Sequence, residues 1–334
     1  MKKAISCLAT CAILLIALAG CSFFSPTVSK PAGSKSAMQE ATDFAASSSS
    51  AENTGQATTN NSGSSAAAIT NADSLERVRA DIDSIAASTG MDVSVSVLDL
   101  TTGGYAEYSG SKQMVSASLI NLVIAYSFLE QVQAGAHSLE EVYTLQESDI
   151  VGGAGAIGTM APGTQLTYGE ILSRTIYAND NTGANILINA VGGMVEVNGT
   201  ARELGLHATQ LNRYQMDEAA MGMNIENYTS ADDVVMLLRK AYAGEFVSPE
   251  YSAVIMQALR GQEDRAGVLA GLPEGTPFSH VSGGLPMARC DGGIVECAHP
   301  YIVVVLCGDP DYSEAVALDV QARIGAATYA DIVG

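Results

Sequence analysis

Ser118 lies in the stretch Met114 to Gln133, MVSASLINLVIAYSFLEQVQ, where a small polar turn runs directly into an apolar helical pattern. A serine held at the first turn of a buried helix is placed as a nucleophile. The helix N-terminus offers unpaired N–H groups and partial positive charge to a developing oxyanion. The same placement suits a plain N-cap, a role that serine often fills. Residues elsewhere must decide between the two. Downstream come Asn179-Asp180-Asn181, Arg213-Tyr214-Gln215 and His280-Val281-Ser282-Gly283. These supply amides and hydroxyls that bind and orient, and few groups that transfer protons near neutral pH.

The elements that must position these residues follow from periodicity. Leu75, Val78, Ile82 and Ile85 recur at helical spacing after Asn71, predicting a helix of about four turns. MDVSVSVLDL (91–100) alternates with period two, and Thr101-Thr102-Gly103-Gly104 before YAEYSG completes a half-buried hairpin. After the Ser118 helix, the glycine density of DIVGGAGAIGTMAPGTQLT predicts an irregular loop over a cleft. A helix is predicted over 168–177. Asn179 to Thr182 then caps a further helix, GANILINAVG. Residues 211–228 show no period and read as a long loop packed by its own Met and Tyr side chains. Helices resume at SADDVVMLLRKAYAG and SPEYSAVIMQALRG, followed by strand signals at FSHVSG, GGIVEC and YIVVVLCG and a helical tail from Tyr312. Strands at both ends with helices between predict an α+β domain, residues 71–334. One antiparallel sheet is built from the two ends, an all-helical subdomain from the middle, and a cleft lies between them.

With that element order, the Ser118 turn, Asn179-Asp180-Asn181 and Val281-Ser282-Gly283 resemble the motifs of class A β-lactamases and related penicillin-recognising serine hydrolases. ESDIVGGAG, GTQLTYGEIL, NTGANILI, TSADDVVMLL and the closing GGIVECAHPYIVVVL hairpin follow in the family's order. The resemblance implies the β-lactamase/transpeptidase-like fold. It also implies roles, and the sequence departs from most of them. S-x-x-K reads Ser118-Leu119-Ile120-Asn121, so an amide that can orient Ser118 replaces the lysine that would take its proton. S-D-N reads Asn179-Asp180-Asn181, which loses the relay hydroxyl and keeps the substrate-binding amide of Asn181. K-T-G reads Val281-Ser282-Gly283, which removes a cation but keeps the hydroxyl of Ser282 and the close-approach Gly283. The family's deacylation glutamate falls on Gln215, beside the retained Arg213; an amide holds a water without deprotonating it.

These departures predict a degenerate site that binds rather than hydrolyses, because loss of one member of such a catalytic unit costs on the order of 10⁴-fold. The alternative is a serine hydrolase of β-lactam or related acyl substrates working through Ser118, slowly or with a substitute base such as Asp217, Glu218 or His280. The expected ligand is a β-lactam, a peptidoglycan-like molecule or a protein. His137, His207 and His299 lack metal-ligand spacing, so neither metal nor other cofactor is expected.

Thirty-six acidic against 16 basic residues in 334 give a net charge of −20. Such a surface repels a phosphate backbone and excludes nucleic acid as a partner. It also excludes charge-driven docking on anionic lipid. Membrane attachment is expected instead through the N-terminus. Met1-Lys2-Lys3 and an apolar run ending Leu18-Ala19-Gly20-Cys21 resemble a bacterial lipoprotein signal (1–20), with Cys21 as the lipidated residue. Residues 21–70, rich in Ser, Ala, Thr and Gly, cannot bury a core and read as a disordered tether with an end-to-end distance of about 40 Å. A monomer on the outer face of the cell membrane is the expected state. Among the remaining cysteines, a two-residue turn at Ala298-His299 would set Cys290 opposite Cys307, as a cross-strand disulfide or as reduced apolar thiols.

Overall fold

A computed structural model describes residues 71–334. The expected signal peptide, lipidation position Cys21 and tether lie outside the described residues. Among the described residues, no helix is long and apolar enough to cross a membrane.

The sheet is organised around its central strand. The sequence YIVVVLCG forms β9 (Tyr301–Gly308), buried along its whole length because a neighbour flanks each edge and helices cover both faces. On one edge it pairs antiparallel with β1 (Asp92–Asp99), which in turn pairs with β2 (Tyr105–Tyr108). On the other it pairs with β8 (Ala288–Val295), and β8 with β7 (Phe278–Leu285). The order is β2-β1-β9-β8-β7, so the first and last strands of the domain share one antiparallel sheet. Because side chains alternate along a strand, the β9 run divides between two cores. Ile302, Val304 and Leu306 join the core of the helical subdomain. Val303, Val305 and Cys307 join a second core beneath the terminal helices.

Those terminal helices are α1 (Asn71–Ala87) and α10 (Glu314–Ile332), which pack on each other and on one sheet face. The predicted α1 stripe is realised: Val78, Ile82 and Ile85 are buried and Leu75 packs at the edge. Each such aliphatic side chain contributes on the order of 1.5–3 kcal/mol by leaving water. The other face carries the helical subdomain: α2 (Asn121–Gln133), α3 (Tyr168–Tyr177), α4 (Asn181–Ala190), α5 (Met194–Glu203), the short α6 (Glu218–Gly222), α7 (Ala231–Ala243) and α8 (Pro249–Arg260).

Local sequence fixes these boundaries. Thr167 and Glu170 form a capping box at the start of α3, Ser230 and Ser248 cap α7 and α8 through their hydroxyls, and left-handed Gly244 stops α7. Small pairings also appear, β3 (Met114–Val115) with β6 (Tyr228–Thr229) and β4 (Val142–Thr144) with β5 (Gln165–Thr167), and a short α9 (Val268–Gly271) precedes β7.

Two expectations are corrected here. The β1 strand is buried on both faces rather than half-buried. Ser96 Oγ donates to Asp232 of α7 at 2.6 Å, and Ser94 Oγ donates to the Ser109 carbonyl just past β2 at 3.0 Å. Hydroxyl alternation thus mimicked a solvent face. Cys290 pairs with Leu306, and Cys307 with Arg289, because the turn runs from Val295 to Tyr301 with an odd number of residues between. That one-residue offset sends the two thiols to opposite faces of the sheet, and all three described cysteines are free. Cys297 is half-buried and donates to the His299 carbonyl.

Candidate functional site

The sheet and the helical subdomain meet along β7 and the turn that carries Ser118. β3 leads into a 3-10 turn, Ala117–Ile120, which passes directly into α2. Ser118 is inside this turn, not at a cap, and Ser116 at the cap position makes no side-chain capping bond. The N-cap alternative therefore does not apply to Ser118. Two constraints hold the turn. Ala117 adopts a left-handed backbone (φ 43°), which costs a non-glycine residue on the order of 1–3 kcal/mol and persists only where the surroundings enforce it. Ser116 N–H donates to the Asn227 carbonyl at 2.9 Å, tying the turn to the long loop.

Facing it, β7 comes so close at Gly283 that a Cβ there would lie 2.4 Å from Ser118 N and 3.1 Å from Ser118 Cβ. Only glycine permits that approach. Ser118 consequently stands on the wall shared by two cavities. The smaller, about 160 Å³, runs under the long loop and is lined by Asn181, Arg213, Gln215, Met216 and Glu226, with Gly153 and Ala154 of the glycine-rich loop at its rim. The larger, about 680 Å³, opens along β7 past Asn179, Ser282, Gly284, Arg289 and Asp264 to Tyr312 and Glu314.

Each proposed chemical position has a definite place. Asn121 is buried, and its Nδ2 donates to the Thr175 carbonyl of α3 at 3.1 Å, while its Oδ1 has no partner. Its side chain therefore bridges α2 to α3 and is not bonded to the Ser118 hydroxyl, while its main-chain N–H donates to the Ser118 carbonyl. Asn179 is left-handed (φ 52°), a conformation asparagine tolerates, and its buried Oδ1 is unpaired. Between the two asparagines, Asp180 is fully buried as the N-cap of α4, accepting from the N–H groups of Gly183 and Ile157, both at 2.8 Å. It is a structural pin between the helix and the glycine-rich loop. Asn181 donates to the Gly152 carbonyl at 3.1 Å and reaches the smaller cavity.

The long loop is clamped at its neck. Arg213 Nη2 and Nε donate to Glu226 at 2.6 and 3.0 Å, with both side chains about 5% exposed. Asn227 Oδ1 accepts from the Asn212 and Arg213 N–H groups, and its Nδ2 donates to the Arg213 carbonyl. Gln215 is set by its main chain: its N–H donates to Asn185 Oδ1 at 2.8 Å and its carbonyl accepts from Asn185 Nδ2 at 3.0 Å. The Gln215 side-chain nitrogen is buried and unpaired.

The substitute bases are elsewhere. Asp217 caps α6 through the Ala220 N–H and Glu218 is exposed on that helix. His280 is buried against Asp291 (Nδ1 to Oδ1, 2.8 Å) and stacked on Phe278, outside both cavities. Val281, placed by sequence at a substrate-binding position, is fully buried in the helical-subdomain core and lines neither cavity. Its aliphatic side chain belongs with apolar neighbours, so only Ser282 and Gly283 of that motif reach the cleft.

Sequence reading missed Arg289 and Asp264. Arg289 on β8 pairs with Gly284, so the cleft does hold a cation beside β7. It is engaged by Asp264, whose Oδ2 also accepts from Ser282 Oγ at 2.8 Å and whose Oδ1 accepts from the Ala266 N–H at 2.9 Å. Burial alone would raise the Asp264 carboxyl. The Ala266 N–H, the Ser282 hydroxyl and Arg289 together outweigh that and hold it below the usual carboxylate range. The available signal was the one arginine of β8, readable only once the register of the β7–β8 hairpin is known.

A family model described as the "Beta-lactamase enzyme family" matches residues 77–332. Beta-lactamase CARB-4 of Pseudomonas aeruginosa is 25% identical over 261 residues, 76% of this chain and 90% of that protein. Beta-lactamase 1 of Bacillus cereus is 25% identical over 229 residues, 67% of this chain and 74% of that one. Among solved structures, PBP-A superposes with a TM-score of 0.71 at 24% identity, covering 77% of this chain and 96% of PBP-A, which establishes likeness of fold.

Proposed function

The chain belongs to the β-lactamase enzyme family, and from that premise we propose that it is a lipid-anchored protein of the cell envelope that binds an acyl ligand in the Ser118 cleft without turning it over. The observation that carries this reading is the disposition of Asn121. The group one helical turn after Ser118 is a neutral amide committed to the Thr175 carbonyl, so no base stands behind the hydroxyl. Gln215 supports it, since a neutral amide replaces a water-activating carboxylate. The N-terminal Cys21 and the polar tether support presentation at the outer membrane face.

Titration of the protein with β-lactams and peptidoglycan-like fragments, followed by NMR, tests the reading. Saturable shifts at Ser282 and Gly283 with no hydrolysis product are expected. Hydrolysis that Ser118→Ala abolishes contradicts it.

A second reading, slow acylation of Ser118, is favoured by one observation: the strained Ala117 and the bare Gly283 keep the nucleophile turn tightly placed. Intact-mass spectrometry after exposure to a reactive penicillin distinguishes the two, because a persistent adduct on Ser118 belongs only to this second reading.

A further inference from the structure

The larger cavity contains an anion seat that is already filled from within. Arg289 is a guanidinium whose side chain is only 13% exposed, and Ser282 Oγ is a buried hydroxyl on the neighbouring strand. Together they make a receptor for a carboxylate, a charged fork plus a neutral donor converging on one oxygen. The carboxylate they hold is Asp264, from the connection between α8 and α9.

This is not an incidental surface pair. The connection is fastened by Gln262, itself buried: its Nε2 donates to the Ile176 carbonyl at 3.3 Å, and its Oε1 accepts from the Glu263 and Asp264 N–H groups at 2.9 and 3.2 Å. The second oxygen of Asp264 is satisfied by the Ala266 N–H. The carboxylate is therefore held on both oxygens by a pinned loop, and a ligand carboxylate must displace it or sit beside it. Of the charged groups lining this cavity, Asp264 and Glu314 are acidic and only Arg289 is basic. The guanidinium, with five N–H donors, still offers some to an uncharged acceptor such as a carbonyl oxygen.

We propose that Asp264 is the specificity-determining residue of the cleft, occupying the Arg289–Ser282 anion seat so that the protein selects acyl ligands with a neutral group at that position and rejects those bearing a carboxylate. This deepens the binding function proposed above and rests on it for the identity of the acyl ligand. The seat itself does not depend on that identity.

The test uses the full-length protein and three probes: acetate, benzylpenicillin and benzylpenicillin methyl ester. Wild-type protein is expected to bind the ester on the order of tenfold or more tighter than the free acid, as expected when a charged hydrogen-bonding seat is closed to an anion. Asp264→Ala should reverse that preference and gain saturable acetate binding, followed at Arg289 by NMR. The gain should vanish in Asp264→Ala/Arg289→Ala. Asp264→Asn, which keeps the side-chain volume and an acceptor for Ala266 N–H, should show the same gain in smaller measure and serves if the alanine variant is unfolded. Absence of acetate binding in a folded Asp264 variant, or equal wild-type affinity for acid and ester, overturns the proposal. Acetate gained by the variant while neither penicillin form binds any protein upholds the seat and counts against the acyl-ligand function alone.

Discussion

The two walls of the cleft are built by opposite means. On the wall of Ser118 and β7, position is set by backbone: a left-handed Ala117, a glycine where no Cβ fits, and a main-chain bond from Ser116 to Asn227. On the side of the long loop and the helices behind it, position is set by side-chain amides bonded to main chain. Asn121 holds Thr175, Asn185 holds Gln215 at both its N–H and its carbonyl, and Asn227 holds Asn212 and Arg213. On this second side Asn121, Asn185 and Asn227 serve as structural pins. On the proposed function, geometry for acyl chemistry and the means to drive it are separable, and this chain keeps the first.

The comparison breaks most severely at the neck of the long loop. Arg213→Met leaves Glu226 as a buried charge without its partner, and a loss of about 3–5 kcal/mol is expected in urea unfolding, with the loop wall detached. A smaller effect is expected on the backbone wall. Gly283→Ala places a methyl against Ser118 N, and the shift it forces should cost about 1–3 kcal/mol and abolish ligand-induced NMR shifts at the cleft. If that variant is as stable as wild type, the close approach does not constrain the turn. Asn185→Ala removes both ties to Gln215, for an expected loss of about 1–3 kcal/mol, with faster amide exchange confined to the long loop.

The smallest effect is the pH dependence at Asp264. Its carboxyl is held below its ordinary range in the folded protein, so the ionised group stabilises the fold above the unfolded carboxylate pKa of about 4. That contribution disappears as pH falls through the lower folded value. The stability difference between wild type and Asp264→Asn should therefore be full at neutral pH and shrink below about pH 4. A difference that grows on acidification would contradict the seating of Asp264.

Much of the scaffold was legible because its signals are local. Helical spacing gave α1, the helical segments beginning at Ser230 and Ser248 gave α7 and α8, and the apolar run 301–308 gave the central strand. Turn motifs placed Ser118, Asn179 and Asn181 at the cleft. What escaped depends on register and on long-range contact. The Val/Ser alternation of β1 looked like an exposed face because the sequence does not say that Asp232 and a helix will cover it. One residue of turn length decided that Cys290 meets Leu306 and not Cys307. The register of the neighbouring β7–β8 hairpin brings Arg289 beside β7 and so restores to the cleft a cation that the Val281 motif lacks. Val281 itself turned inward, since an aliphatic side chain on a strand that borders a core gains more there than in a wet cleft.

The central claim is that Ser118 is correctly placed and has no base. Steady-state hydrolysis of a chromogenic β-lactam, measured side by side for wild type and Ser118→Ala, tests it most directly. Equal rates, at the level of the buffer, are predicted. Wild-type turnover that Ser118→Ala removes would contradict it.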